Sequence, residues 1–171
     1  MLVILNSTPL IYLTKVGMAH LLVDLRLEKI TSQLVKQEVV DKGKDVGAPE
    51  AEILEELFQK KVIKLVEPIR HEFVTRLRGV RGLHDADVRT IALAKECDGM
   101  AIIDDQLARR TARIYKIRYS GTPYLLIKAH IQGHITKELA KKIIDDMISA
   151  GWRCGVEDYQ IIMRCLGGFR C

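Results

Sequence analysis

The sequence lacks any apolar run near the roughly 20 residues that a membrane span needs, and its first apolar stretch, residues 1–5, is too short for a signal peptide. We therefore expect a cytoplasmic protein with no membrane partner. The four cysteines form no C-x-x-C pair, so neither a zinc knuckle nor a redox motif is supported. Internal repeats and low-complexity segments are also lacking, and 171 residues suit one well-packed domain.

Asparagine is nearly absent, since its single occurrence is Asn6. Acidic residues are fewer than basic ones: the sequence has 22 Asp and Glu and 27 Lys and Arg. The net charge is therefore +5, and the sequence pI is near 9.0. This balance favours a polyanionic partner such as a nucleic acid.

Short apolar runs alternate with helical periodicity as far as residue 120, and no strand signal follows. The pattern predicts an α/β fold, with a parallel sheet of about four to five strands flanked by helices. The predicted strands cover residues 2–5, 29–31, 62–66, 100–103 and 117–119. We expect one domain over 1–171, with an α/β core at 1–120 and a helical C-terminal tail at 121–171.

Four aspartates surround one predicted helix and the strand that follows it. Asp85 and Asp87 open the helix at 85–95, while Asp104 and Asp105 end the strand at 100–103. Ligands collect at the carboxyl ends of parallel strands, so acids placed there should line a cleft. The alternative for Asp85 and Asp105 is simple capping of their helices.

Two further oxygen-bearing side chains have comparable placements. Asn6 also ends a predicted strand, and Glu38 lies near the apolar face of a helix that begins at 32. With Asp87, Asp104 and Asp105, these groups could converge on one edge of the sheet. Clustered carboxylates without His or Cys favour the hard cations Mg²⁺ and Mn²⁺. Two such ions, about 4 Å apart, can activate a water in phosphodiester cleavage.

A basic surface accompanies the acids. Arg109, Arg110 and Arg113 recur at three- and four-residue spacing and share one side of the predicted helix at 106–115, where they could hold phosphates. Arg78 and Arg81 lie in a glycine-bracketed loop just before the acids and could meet a substrate there.

Several segments, in this order, resemble the PIN-domain nucleases: Asn6-Ser7-Thr8-Pro9, Glu38, Asp87-Val88-Arg89-Thr90 and Ile103-Asp104-Asp105. The residues 102–110, together with Gly121-Thr122 and Leu125-Leu126, more narrowly resemble the prokaryotic PIN-like family known as domain of unknown function 3368. The similarity extends over nearly the whole chain.

The resemblance implies a Rossmann-like sheet, a Mg²⁺ or Mn²⁺ site made of acids, cleavage of single-stranded RNA, and homodimers. It further implies the toxin of a toxin–antitoxin pair, with a small antitoxin protein as partner. By resemblance, the catalytic residues are Asn6, Glu38, Asp87 and Asp105, the metal ligands are these four and Asp104, and the nucleic-acid contacts are Thr8, Arg109, Arg110 and Arg113.

The departure from the family pattern is Asn6, which takes the place of the first aspartate and brings no negative charge. It is interpreted either as a tuned metal ligand or as the mark of a disabled nuclease. A non-catalytic PIN-like module that binds RNA or a partner protein is therefore the second hypothesis. A Toprim-type or phosphatase-like enzyme is disfavoured, because those sites place their acids in a different order along the chain.

Overall fold

The computed structural model describes residues 1–168, in which five parallel strands form one sheet in the order β3-β2-β1-β4-β5. The strands are β1 (Leu2–Leu5), β2 (Glu28–Thr31), β3 (Lys64–Leu65), β4 (Met100–Ile102) and β5 (Tyr119–Ser120). The predicted parallel α/β fold is confirmed. The central β1 is an unbroken apolar run because helices cover both faces of such a sheet, and Val3, Ile4 and Leu5 are fully buried.

Helices connect and flank the strands. Within residues 1–168 they are α1 (Ser7–Lys15), α2 (His20–Asp24), α3 (Gln33–Lys36), α4 (Lys42–Asp45), α5 (Glu50–Gln59), α6 (His71–Arg78), α7 (Asp85–Glu96), α8 (Gln106–Ile114), α9 (Pro123–Ile131), α10 (Lys137–Ser149) and α11 (Val156–Leu166). The edge strands β3 and β5 are shorter than predicted, because only two residues of each pair with the neighbouring strand.

A π-helical segment, Gln37–Asp41, joins α3 to α4 where the sequence predicts an uninterrupted α-helix. Ser32 starts this helical run, since its side chain accepts a hydrogen bond from the N–H of Val35 at 3.3 Å. Val35, Val39 and Val40 are buried, and Glu38 is half-buried. Single π turns inside helices are often found at functional sites, and this one carries a predicted site residue.

The chain divides into two compact units. The first contains Met1–Ile11 and Leu27–Thr122, and therefore the whole sheet and every predicted site residue. The second contains Tyr12–Arg26 and the residues from Pro123 onward; within it Ile143, Ile144, Met147 and Trp152 are buried. The single domain over 1–171 stays a prediction. No helix among residues 1–168 has both the length and the apolarity to cross a membrane.

Candidate active site at the carboxyl edge of the sheet

Asn6 and Asp87 form a buried pair at the carboxyl edge of the sheet. Asn6 directly follows β1, and its Nδ2 donates a hydrogen bond of 2.6 Å to Oδ1 of Asp87 in the first turn of α7. The amide oxygen of Asn6 is buried and accepts no hydrogen bond from residues 1–168. Leaving a buried acceptor unsatisfied costs about 1–3 kcal/mol, so this oxygen is available to an electropositive ligand.

Asp87 lies close to two of the other predicted acids, Glu38 and Asp105. Burial raises the pKa of Asp87 to about 6; the carboxylates of Asp105 and Glu38 add to the rise, whereas His84 and the Asn6 amide oppose it. The carboxylates of Glu38 and Asp105 therefore each repel the buried carboxylate of Asp87. A cation among them would relieve that repulsion.

Glu38 is held by a residue that the sequence analysis did not single out. The hydroxyl of Ser7, at the start of α1, donates a hydrogen bond of 2.5 Å to Oε2 of Glu38. Asn6 and Ser7 thus each hold one acid. The adjacency of Ser7 to Asn6 was the only available signal, because the contact joins positions 31 residues apart.

Asp105 both caps a helix and faces Asp87. Its Oδ1 accepts a hydrogen bond of 2.8 Å from the N–H of Ala108, which makes it the N-cap of α8. Its negative charge still raises the pKa of Asp87, so capping does not remove it from the site.

Asp85 lies outside this group, and the alternative interpretation, that it caps α7, is wrong. His84 occupies the N-cap position, and Asp85 is the first helical residue. Its exposed carboxylate pairs with Nε of Arg78 at 3.1 Å.

The Asp104 side chain is bound to the turn that follows β5. Its Oδ1 accepts hydrogen bonds from the N–H of Thr122 at 2.8 Å and from Nη2 of Arg109 at 3.2 Å, and its Oδ2 accepts one from the Thr122 hydroxyl. Of the two adjacent aspartates, Asp105 is therefore the better match for the fourth acid.

The oxygen atoms of this site suit a hard cation, but two of the acids accept hydrogen bonds from neighbouring side chains. No group of three or more His, Cys, Asp or Glu side chains within residues 1–168 is placed to hold a metal ion. Oxygens of Asp87 and Glu38 instead accept hydrogen bonds from Asn6 and Ser7. A cation here would need the unpartnered Asn6 oxygen as well as carboxylates, and such all-oxygen sets are what Mg²⁺ and Mn²⁺ prefer.

The predicted nucleic-acid contacts differ in exposure. Arg110 and Arg113 are exposed on α8, three residues apart, whereas Arg109 is half-buried beside Asp104. Thr8 is half-buried in the first turn of α1, close in sequence to Asn6.

Comparisons with known proteins agree with this architecture. A family model described as DUF3368, PIN domain, matches residues 2–167. The crystal structure of PAE2754 from Pyrobaculum aerophilum is similar, with a TM-score of 0.52 at 16% sequence identity, over 75% of this chain and 98% of that one. At this identity the likeness concerns the fold alone. No match is found among curated proteins.

Proposed function

On the premise that this chain belongs to the PIN-domain family, we propose that it is a Mg²⁺- or Mn²⁺-dependent endoribonuclease that cleaves phosphodiester bonds in single-stranded RNA. The observation that carries the proposal is the buried Asn6 amide. Its N–H group bonds Asp87, and its oxygen, without a partner among residues 1–168, lies beside a group of acids.

On binding, the cation would have to draw together Asn6, Asp87, Glu38 and Asp105, because within residues 1–168 the three acids are not already placed to hold a metal ion. When bound, it would polarise a phosphoryl oxygen and lower the pKa of a water molecule. The protein's own contribution is to orient the ligands: Asn6 fixes Asp87, Ser7 fixes Glu38, and the cap of α8 fixes Asp105. Asp104 stays a predicted ligand, and its carboxylate accepts hydrogen bonds from Arg109 and Thr122.

RNA would approach along the exposed arginines. Arg110 and Arg113 project from α8, the helix that Asp105 caps, and the chain carries a net charge of +5. Phosphate contacts of this kind bind a strand without reading its sequence. Thr8, in the first turn of α1, is proposed to contact the strand near the scissile phosphate.

The second candidate function is a non-catalytic PIN-like module that binds RNA or a protein. The observation that favours it is Asn6 itself, because an amide replaces a carboxylate and the site has one negative charge fewer than the family pattern implies. In either case we propose a cytoplasmic homodimer, by family resemblance. We propose that, as a ribonuclease, it acts as the toxin of a pair with a small antitoxin protein.

Mn²⁺ titration together with an RNA cleavage assay separates the two functions. The informative variant is Asp87→Asn, and its matched control is Asp85→Asn, an exposed acid two positions earlier on the same helix. We expect the wild type and Asp85→Asn to bind Mn²⁺ and to cleave labelled single-stranded RNA, and Asp87→Asn to do neither. A wild type that binds RNA but leaves it intact at saturating Mn²⁺ would favour the non-catalytic module.

A further inference from the structure

Four residues form a compact cluster on the side of β4 that faces β5: Asp104, Arg109, Gly121 and Thr122, here called the Asp104 cluster. Three hydrogen bonds converge on the Asp104 carboxylate, two from Thr122 and one from Arg109. Thr122 is fully buried, and the Asp104 side chain is only 11% exposed. The cluster links the end of β4 to the turn that follows β5.

Arg109 uses two N–H groups on one side of its guanidinium, those of Nε and Nη2, to bind the chain just before Asp105. Its Nε donates a hydrogen bond of 2.9 Å to the carbonyl oxygen of Ile103, and its Nη2 donates one of 3.2 Å to Oδ1 of Asp104. Nε–H and one Nη2–H form the planar fork with which arginine grips a carboxylate or a phosphate. Here that fork holds the two residues immediately before Asp105.

Gly121 lets the cluster close. A Cβ atom at this position would lie 2.7 Å from Oδ1 of Asp104 and nearer still to Nη2 of Arg109. The glycine is therefore needed for close approach and not for an unusual backbone angle. Gly121-Thr122, one of the segments that carried the family resemblance, thus has a physical role in this chain.

We propose that Arg109 is a positioning residue, which holds Asp104 and the Ile103 carbonyl so that the β4–α8 turn presents Asp105 to Asp87, and that it does not contact RNA phosphate. This inference rests on the proposed function, because the presented carboxylate belongs to the proposed cation site. It replaces the earlier prediction that Arg109 binds phosphate beside Arg110 and Arg113.

The test compares two substitutions at Arg109 with the same two at its exposed neighbour. Arg109→Lys keeps the charge but loses the planar fork, and Arg109→Gln loses both; Arg110→Lys and Arg110→Gln are the matched controls. Three quantities are measured on each folded protein. They are the Kd for Mn²⁺, the salt dependence of binding to a single-stranded RNA oligonucleotide in EDTA, and amide hydrogen exchange at Ala108 and Thr122, whose N–H groups bond Asp105 and Asp104.

If Arg109 acts by positioning, Arg109→Lys and Arg109→Gln should behave alike, because both lose the planar fork. Both Arg109 variants should weaken Mn²⁺ binding by about 10- to 100-fold, as replacement of groups that orient metal ligands does. Both should also speed hydrogen exchange at the two amides. Their salt slope, the slope of the logarithm of the RNA-binding constant against the logarithm of the salt concentration, should equal that of the wild type. Arg110→Gln should instead lower the slope by about 0.7, the value for one phosphate of a single strand, without changing Mn²⁺ binding. Arg110→Lys should keep both.

The opposite pattern overturns the inference. If Arg109→Gln lowers the salt slope, Arg109→Lys restores it, and Mn²⁺ binding is unchanged, Arg109 contacts phosphate. If the Arg109 variants do not fold, Gly121→Ala replaces them, because its Cβ displaces the guanidinium without altering its chemistry; unchanged exchange at Ala108 and Thr122 then contradicts the proposal.

Failure of the proposed function gives a different result. If the wild type binds no Mn²⁺, the proposed cation site is ruled out. Hydrogen exchange at Ala108 and Thr122 in the Arg109 variants still shows whether Arg109 holds the turn. If the wild type binds Mn²⁺ and the Arg109 variants match it in Mn²⁺ affinity and in amide exchange, only the positioning role is contradicted.

Discussion

At the scale of single residues, the site depends on how Asp87 carries its charge. Burial and the neighbouring carboxylates raise its pKa to about 6 from a usual 3.8. Between these two values the folded protein keeps a proton that the unfolded chain has released. Stability of the metal-free protein should therefore fall as the pH rises from about 4 to about 6, and remain lower above that range.

Asp87→Asn should remove this part of the pH dependence. In EDTA at pH 7 the variant should be more stable than the wild type, by up to about 3 kcal/mol, because one pKa unit corresponds to about 1.4 kcal/mol. Urea unfolding of both proteins from pH 4 to pH 8 measures the difference, and ionisable groups common to both cancel. Parallel stability curves for the two proteins would contradict the raised pKa of Asp87.

Residue placement in the sequence predicted part of this site. The strand-end and helix positions of Asn6, Glu38, Asp87 and Asp105 were readable, because parallel strands end at one edge of the sheet. The roles of Ser7 and His84 were not, because they depend on which way side chains turn across distant segments. The Asn6–Asp87 hydrogen bond spans 81 positions, and no local pattern encodes it.

At the scale of elements, α8 joins the acids to the basic surface. Asp105 caps its first turn, and Arg110 and Arg113 are exposed further along. We expect Arg110→Gln/Arg113→Gln to lower the salt slope of RNA binding by about 1.4, or about 0.7 for each phosphate lost. Filter binding of a single-stranded oligonucleotide at several salt concentrations measures it. An unchanged slope would show that the strand does not follow α8.

The helix that carries Glu38 shows the limit of pattern reading at this scale. Apolar spacing predicted its extent and its buried valines, but an α turn and a π turn differ by one residue, and hydrophobic periodicity does not resolve that difference. The π-helical segment Gln37–Asp41 buries Val39 and Val40, as the apolar spacing predicted.

At the scale of the whole molecule, the helices after β5 contribute buried apolar side chains to the second unit. α9 and α10 belong to the second unit, where they bury Leu125, Leu126, Ile143 and Ile144. Each such side chain contributes about 1.5–3 kcal/mol when buried. Truncation after Ser120 would also remove Gly121 and Thr122 from the Asp104 cluster.

We therefore expect the fragment 1–120 to be insoluble or unfolded. Expression of the fragment beside the full-length chain, followed by circular dichroism and thermal melting of any soluble material, measures this. A soluble fragment with a cooperative melting transition would contradict the prediction.

The central claim, that Asn6 and the acids hold one divalent cation, is tested most directly by the Mn²⁺-induced change in Tm of the wild type, Asn6→Asp and Asp87→Asn. The added carboxylate should strengthen cation binding and increase repulsion without the cation. A tenfold gain in affinity adds about 1.4 kcal/mol at saturation, or roughly 2–4 °C in a chain of this size. We predict a larger Mn²⁺-induced rise in Asn6→Asp than in the wild type, and none in Asp87→Asn. Equal rises in all three proteins would place the cation elsewhere and contradict the account.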